Sequence, residues 1–448
     1  MSFESFGLDS ALLGALAEAG YTTATPVQQQ AIPAALAGHD LRVSSQTGSG
    51  KTAAFLLPCL HQFAAQTSAQ AAKGASPLDA VAREAGSRKR APGARTTGPV
   101  ILVLTPTREL AQQVMRAART YGARLRALRV ASIVGGMPYG PQLQALRAGS
   151  ELLVATPGRL WDFIERGAID LSSVKHFILD EADRMLDMGF IDDIRKIAAL
   201  LRPERQTLMF SATFGGAVGR LAQSLLKPDA QVIAISEKGP DRAAIEQRLH
   251  WADDLRHKDA MLDRILADAD IDQAVVFTRT QIEADGLARR LFEEGHSVAS
   301  LHGGLPQGMR NRVLQGLRQR RLRVLVATDV AARGIDVPTI THVVNYGLPM
   351  KAEDYVHRIG RTGRAGRAGL ALTLAERRDI PAVHRVQQLM SQAIPVAEMP
   401  GLEPRFRPRP EQPRAKRSGP PHRKGGPGRF ASSPGNNGTR GRPRAVGR

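Results

Sequence analysis

The sequence predicts an α/β chain carrying two tandem parallel-sheet domains, and three observations predict it. The chain has 448 residues, well beyond the ~250–300 at which single cores stop growing, so two domains of ordinary size are expected. Short apolar, β-branched runs alternate with helix-like segments, the pattern of βαβ units feeding a parallel sheet. That alternation occurs as two series separated by a polar break, Ser236-Glu237-Lys238-Gly239-Pro240-Asp241, where a Gly-Pro pair ends regular structure.

In the first series the expected strands are Leu41 to Val43, Val100 to Leu104, Leu152 to Val154, His176 to Leu179 and Thr207 to Phe210. In the second they are Ala274 to Phe277, Val298 to Leu301, Arg323 to Ala327, His342 to Asn345 and Leu370 to Leu374. The expected organisation is a first domain over 1–237, a hinge-like linker over 238–244, a second domain over 245–395 and a tail over 396–448. Residues 64–99 are rich in Ala, Gly, Ser and Arg without sustained periodicity, and read as a long surface insertion. The tail is dominated by Pro, Gly and Arg, too poor in large aliphatics to offset the entropy of ordering, so it is expected to be disordered.

The formal net charge is +20, which favours a polyanionic partner, nucleic acid or an anionic membrane surface. From Gly401 to Arg448 there are 13 Lys+Arg against 2 Asp+Glu, so that stretch carries +11 of the +20. The single cysteine, Cys59, lies in an apolar run, which excludes an intrachain disulfide and predicts a buried thiol. No basic-then-apolar leader opens the sequence and no run of ~18 apolar residues occurs, so a cytoplasmic protein is expected.

The chemistry begins at Ser45-Gln46-Thr47-Gly48-Ser49-Gly50-Lys51-Thr52, placed between the strand Leu41 to Val43 and a helix-like segment from Ala53. In that context backbone N–H groups cradle phosphates, Lys51 reaches the β- and γ-phosphates, and the Thr52 hydroxyl binds Mg²⁺. Asp180-Glu181-Ala182-Asp183 follows the apolar strand His176 to Leu179. The carboxyl ends of parallel strands face one crevice, so Lys51 and Asp180 are expected to meet there despite their sequence separation. One carboxylate, Asp180, can hold Mg²⁺, and a second, Glu181, can polarise an attacking water.

Together with further motifs along the chain, these make the stretch from Phe3 to about Ala375 resemble the DEAD-box ATP-dependent RNA helicases of superfamily two. The resemblance rests on a set in order: Pro106-Thr107-Arg108-Glu109-Leu110, Gly135-Gly136, Thr156-Pro157-Gly158-Arg159 and Ser211-Ala212-Thr213, then Val276-Phe277-Thr278, His302-Gly303-Gly304, Gln307 with Arg310, Ala327 to Asp336, and His357-Arg358-Ile359-Gly360-Arg361-Thr362-Gly363-Arg364. It implies two RecA-like domains closing over ATP. It implies that Gln28 reads adenine, with Phe3 stacking on the base and Tyr21 in the same nucleotide-binding set, although Ala24 stands where the family usually has Pro. Arg361 and Arg364 resemble arginine fingers, a device worth roughly 10³–10⁵ in rate. Gly334 and Asp336 are implied to touch nucleotide from the second domain, and Asp183, Ser211, Thr213 and His357 to couple nucleotide state to RNA grip.

The same resemblance places RNA backbone contacts at Thr107, Arg108, Gly135, Thr156, Arg159, Gly303 and Thr328, groups that suit phosphate oxygens and read no sequence. The short ends around the core are similar to those of the bacterial RhlE-type group. Duplex separation coupled to ATP hydrolysis is the expected activity, with ribosomal particles or an RNA-degradation complex as candidate partners and a monomeric core. Two competing readings stay open: a DNA-directed superfamily-two translocase, and an RNA-annealing or scaffold protein whose basic tail carries the function. The tail itself is either an RNA tether or a solubilising extension.

Overall fold

Apolar runs flanked by phosphate-loop and acidic motifs become two parallel sheets because their strands are buried on both faces. A computed structural model describes residues 1–45, 48–73, 98–235, 245–332, 335, 337, 339–363 and 367–406. The first sheet contains β1 (Leu41–Ser44), β2 (Ile101–Leu104), β3 (Val130–Ile133), β4 (Leu152–Ala155), β5 (His176–Leu179), β6 (Gln206–Ser211) and β7 (Gln231–Ala234), in the order β3-β4-β2-β5-β6-β1-β7. The second contains β8 (Ile245–Ala252), β9 (Gln273–Thr278), β10 (Val298–Leu301), β11 (Val324–Thr328), β12 (Ile340–Asn345) and β13 (Gly369–Glu376), ordered β10-β11-β9-β12-β13-β8. Every paired strand runs parallel to its neighbour. We call the two halves lobe 1 and lobe 2; both lie within one unit, Met1–Phe406.

Successive side chains of a strand point to opposite faces, so each sheet feeds two cores. On β2, Ile101 and Val103 join the cluster with Val27, Phe55 and Phe210, while Leu102 and Leu104 join that of Phe163, Phe177 and Ile194. On β9, Ala274 and Val276 face Leu262 and Leu291, whereas Val275 and Phe277 face Leu314 and Leu325. Cys59 is buried among apolar side chains, which raises its thiol pKa and leaves it inert. Among the described residues, no helix is long and apolar enough to cross a membrane.

Three strands escape the sequence pattern: β3 is built from small and mixed residues, β7 is a mostly exposed edge of the first sheet, and β8 alternates with Glu, Gln, Arg and His at an edge of the second. Two expectations are corrected. The segment expected to be irregular from residue 64 continues as helix, since Lys51–Lys73 is one helix with Pro58 inside it. Its Ala- and Gln-rich second half has high helix propensity, and Phe63 and Ala64 are buried. The tail expected from 396 begins later, because residues 394–406 pack on lobe 2, with Val396 paired to Leu249 and Met399 and Leu402 against the core. The insertion over 74–97, the linker and residues 407–448 lie outside the described residues.

Candidate functional site

Strand order in lobe 1 sorts the candidate residues before any contact is considered. Reading across the carboxyl edge, Gly135 follows β3, Thr156 follows β4, Thr107 follows β2, the acidic cluster follows β5, Ser211 ends β6 and the phosphate loop follows β1. Residues expected to hold a nucleic-acid backbone thus occupy one half of the edge and those expected to hold a nucleotide the other. The acidic cluster sits at their junction.

The phosphate loop is tied down from three sides. Ser45 N–H donates to the Ser211 carbonyl at 3.0 Å, joining the loop to the end of β6. Thr25 Oγ1 donates to the Ser49 carbonyl at 2.8 Å and Gln28 Nε2 to the Gly50 carbonyl at 3.0 Å. Gly50 is required there: its φ is +92°, and a Cβ would lie 2.5 Å from Gln28 Nε2. Lys51, buried at 6% exposure, donates to the Ser45 carbonyl at 3.1 Å, and Thr52 sits beside it in the first helical turn. Gly48 also takes a positive φ, while Gln46 and Thr47 lie outside the described residues.

Asp180, Glu181 and Asp183 are all buried. Burial, offset in part by the Lys51 ammonium, pushes the Asp180 carboxyl up to about 7, and its Oδ1 has no hydrogen-bond partner. Burial, with Glu181 next, raises Asp183 as well. Glu181 adopts φ +54°, ψ +54° at the N-terminus of the Ala182–Asp187 helix, a left-handed conformation costly for a non-glycine residue. Ser211 Oγ accepts from the Asp183 and Thr213 amides and donates to the Thr213 carbonyl at 2.6 Å, so the acidic cluster and the Ser-Ala-Thr turn form one network.

Lobe 2 meets this edge directly. His357 Nε2 lies 3.9 Å from Asp183 Oδ2. Arg361 donates to the His357 carbonyl at 3.1 Å and the Ile335 carbonyl at 2.8 Å, and with Asp329, Asp354, His357 and Arg358 it lines a crevice closed on the other side by Arg184. Arg364, Gly334 and Asp336 lie outside the described residues. Farther along the seam Arg108 donates to Gln307 Oε1 at 2.6 Å, and Arg310 pairs with Glu109 at 2.9 Å. Burial lowers the Arg108 pKa, and the neighbouring Arg310 and Arg159 guanidiniums lower it further against Glu109, so cations from both lobes converge there.

The remaining expected backbone-binding residues are placed individually. Thr107 caps its helix by accepting from Leu110 N–H, Thr156 Oγ1 accepts from Gly135 N–H at 3.3 Å, and Arg159 donates to the Met137 carbonyl at 3.2 Å. Thr328 ends β11 in line with Thr278, and Gly303 follows β10. One assignment is corrected: Phe3, at 4% exposure, packs edge-on to Phe6 and Tyr21 inside the lobe 1 core, so its ring faces serve packing rather than a base. Tyr21 is partly exposed and shares a hydrogen bond with Tyr121. Sequence reasoning missed Arg184, Asp187, Lys351 and Asp354 at the seam, and the bidentate Arg358–Asp329 pair within lobe 2 at 2.5 and 2.8 Å.

Comparison with known proteins meets this geometry at its two halves. Residues 25–221 match the DEAD/DEAH box helicase family and residues 257–366 the helicase conserved C-terminal domain. The chain is 40% identical to the ATP-dependent RNA helicase SrmB of Escherichia coli K12 over 407 residues, covering 91% of this chain and 86% of the relative. It is 40% identical to the ATP-dependent RNA helicase DeaD of the same organism over 402 residues, covering 90% of this chain but 59% of the relative, so it spans about three fifths of that protein. Among solved structures, Saccharomyces cerevisiae Dbp5 bound to RNA and ADP BeF3 aligns with a TM-score of 0.74 at 29% identity, covering 89% of this chain and 95% of the other. With both halves matched and the phosphate loop, acidic cluster and seam residues in family order, the chain belongs to the DEAD-box RNA helicase family.

Proposed function

We propose that this chain hydrolyses ATP when it binds single-stranded RNA and uses the cycle to separate RNA strands locally, without reading their sequence. One observation carries the reading: Asp183 of the lobe 1 acidic cluster lies 3.9 Å from His357 of lobe 2, so the nucleotide residues are completed only where the lobes meet. The SrmB, DeaD and Dbp5 relatives support it by their described activity and ligands.

Thr52 and Asp180 suit Mg²⁺, since Asp180 presents a buried oxygen without a hydrogen-bond partner and the hydroxyl and carboxylate are hard oxygen donors. When bound, the ion supplies charge neutralisation on the phosphates. The chain's own groups do the rest. Lys51 and the loop amides hold the phosphates, and Glu181 orients the attacking water and accepts its proton as the bond to the bridging oxygen breaks. Arg361 and Arg364 stabilise charge developing on the transferred group. Arg108, Arg159, Thr107, Gly135, Thr156, Gly303 and Thr328 bind the RNA backbone, and because they come from both lobes, RNA favours closure. The basic stretch 407–448 adds phosphate affinity as a tether; ribosomal particles or an RNA-degradation complex are partners of fitting charge.

The deciding assay is ATP turnover with single-stranded RNA against the equivalent DNA. Strong stimulation by RNA alone supports the proposal, and equal stimulation by both favours a DNA-directed translocase. Glu181→Gln should bind RNA and ATP yet lose turnover and strand separation; strand annealing at the wild-type level in that variant, with no ATP-driven separation in the wild type, favours the scaffold reading.

A further inference from the structure

Two ion pairs and one carboxylate–imidazole contact join the Ala182–Asp187 helix of lobe 1 to the Ala352–Ile359 helix of lobe 2 and the lysine just before it. Asp183 meets His357 at 3.9 Å, Arg184 meets Asp354 at 2.7 Å, and Asp187 meets Lys351. The partners descend in number on one side as they rise on the other, so the helices run antiparallel. The signs alternate: acid to base, base to acid, acid to base. Sliding the helices by one turn in one direction would set Asp183 against Asp354 and Arg184 against Lys351; the other direction would set Arg184 against His357 and Asp187 against Asp354. Every slip places like charges together, and like charges brought together at an interface are disfavoured.

The rungs are unequal. Lys351 and Asp187 are 55% and 27% exposed, and such surface pairs contribute little. Arg184 and Asp354 are 3% and 11% exposed. A buried charge deprived of its partner is costly, whereas removing both charges together is mild. Arg184 also directly follows the acidic cluster, and Asp354 lies one turn before His357 on the same helix.

We propose that Arg184 and Asp354 form a register latch for lobe docking, a positioning pair that touches no substrate but aligns His357 and Arg361 with the lobe 1 acidic cluster. The latch rests on the proposed function, in which the working site is assembled by closure.

The test is a double-mutant cycle on the full chain with Arg184→Gln, Asp354→Asn and the two combined. Each single variant should raise the RNA concentration for half-maximal ATPase roughly tenfold to a hundredfold, as expected when one member of a buried interlobe ion pair is removed. Turnover at saturating RNA should fall far less, and the double variant should return to within about fivefold of wild type because neither charge remains. A thermal melt without ligands, unchanged across the set, separates latch loss from unfolding. The same set is read by energy transfer between dyes on Arg126→Cys and Glu293→Cys, both exposed, while Cys59 stays buried and unlabelled. Lobe separation should increase in the singles and recover in the double. Singles within twofold of wild type, or a double as impaired as both singles together, overturn the latch. If wild-type turnover ignores RNA but lobe separation still follows the charge series, the functional reading fails and the latch stands; if turnover responds to RNA and separation ignores the series, the reverse holds.

Discussion

Lys51 attracts Asp180 across the carboxyl ends of β1 and β5, and that attraction does not fully offset the burial of the carboxylate, which is raised to about 7. An acid whose folded pKa lies above its ordinary value of 3.8 costs nothing below pH ~4, where it is protonated folded or unfolded. The cost grows as pH rises from 4 to 7 and is complete above 7, each tenfold weakening of the acid being worth about 1.4 kcal/mol. Asp180→Asn should therefore be more stable than wild type to denaturant at pH 8 without nucleotide, by on the order of a few kcal/mol, with the gap closing towards pH 4. Its activity should be lost. For the wild type, affinity for Mg²⁺ with a fluorescent ATP analogue should increase from pH 6 to pH 8 and level off, since the carboxylate form binds the cation. A gap that widens on acidification would contradict the assignment.

Gln28 serves two neighbours at once, and this makes its role separable. Its Oε1 accepts from Thr25 N–H at 2.9 Å while its Nε2 donates to the Gly50 carbonyl at 3.0 Å. A primary amide has a second N–H and a second lone pair, so one donor and one acceptor remain for an adenine edge. Gln28→Glu keeps the bond to Thr25 but puts a carboxylate against the Gly50 carbonyl, so the KM for ATP should rise roughly tenfold or more. If the amide also reads the base, the ratio of kcat/KM for ATP over GTP should collapse in Gln28→Ala. An equal loss for both nucleotides would assign Gln28 to loop shape alone.

Much of this site is readable from the sequence because its geometry is local. The stretch Ser45 to Thr52 carries its own turn, and Asp180 to Asp183 is presented by the strand before it; burial of both sheet faces turned the central strands into apolar runs. What was not legible depends on docking or edges. Arg184 and Asp354 are 170 residues apart and meet only because two helices pack across the lobes. Phe3 has the same apolar ring for a base or a core, and only packing with Phe6 and Tyr21 decides. β7 and β8 lie at sheet edges, where one face or one flank stays polar. The continuation of the Lys51–Lys73 helix is a matter of propensity without an apolar stripe, so periodicity alone could not find it.

The two arginines Arg358 and Arg361 look equivalent in sequence but are held differently. Arg358 is bidentate to Asp329, donates to the Gly347 carbonyl at 2.5 Å and to Asn345 Oδ1 at 3.2 Å, and lies over the Phe277 ring. A lysine cannot reproduce that planar fork. Arg358→Lys should destabilise lobe 2 by about 3 kcal/mol, seen as a lower denaturation midpoint. Arg361 is held through the backbone carbonyls of His357 and Ile335. Arg361→Lys should melt close to wild type while RNA-stimulated turnover falls at least a hundredfold, the scale of a missing arginine finger (~10³ or more). A melting loss in Arg361→Lys that matches that of Arg358→Lys would remove the distinction.

Truncation of the basic tail has a boundary set by residues 394–406, which form a strap over β8. The Asp253 carboxylate accepts from the Arg405 amide at 3.0 Å and the Phe406 amide at 3.1 Å, which holds its pKa below the usual carboxylate range. His257 Nε2 donates to the Leu402 carbonyl at 3.0 Å, Phe406 meets Trp251 edge-on, and Arg377 lies over the Phe406 ring. The strap thus reaches residue 406, and from Arg407 onward 12 Lys+Arg stand against 1 Asp+Glu, a charge of +11. Removing residues 407–448 should weaken RNA binding, most at low salt, with a log-log salt slope lower by roughly 0.7 for each phosphate the tail no longer neutralises, while RNA-saturated turnover stays near wild type. Removing residues 401–448 leaves Val396 paired to Leu249 but takes Leu402 and Phe406 away from lobe 2 and uncovers Trp251 where Phe406 packs, so it should lower the melting temperature as well, by the equivalent of ~1–3 kcal/mol for uncovering one large aromatic side chain. Equal melting of the two truncations would mean that residues 401–406 contribute nothing to lobe 2. A collapse of saturated turnover on removing residues 407–448 alone would instead place the tail in the catalytic cycle rather than in tethering.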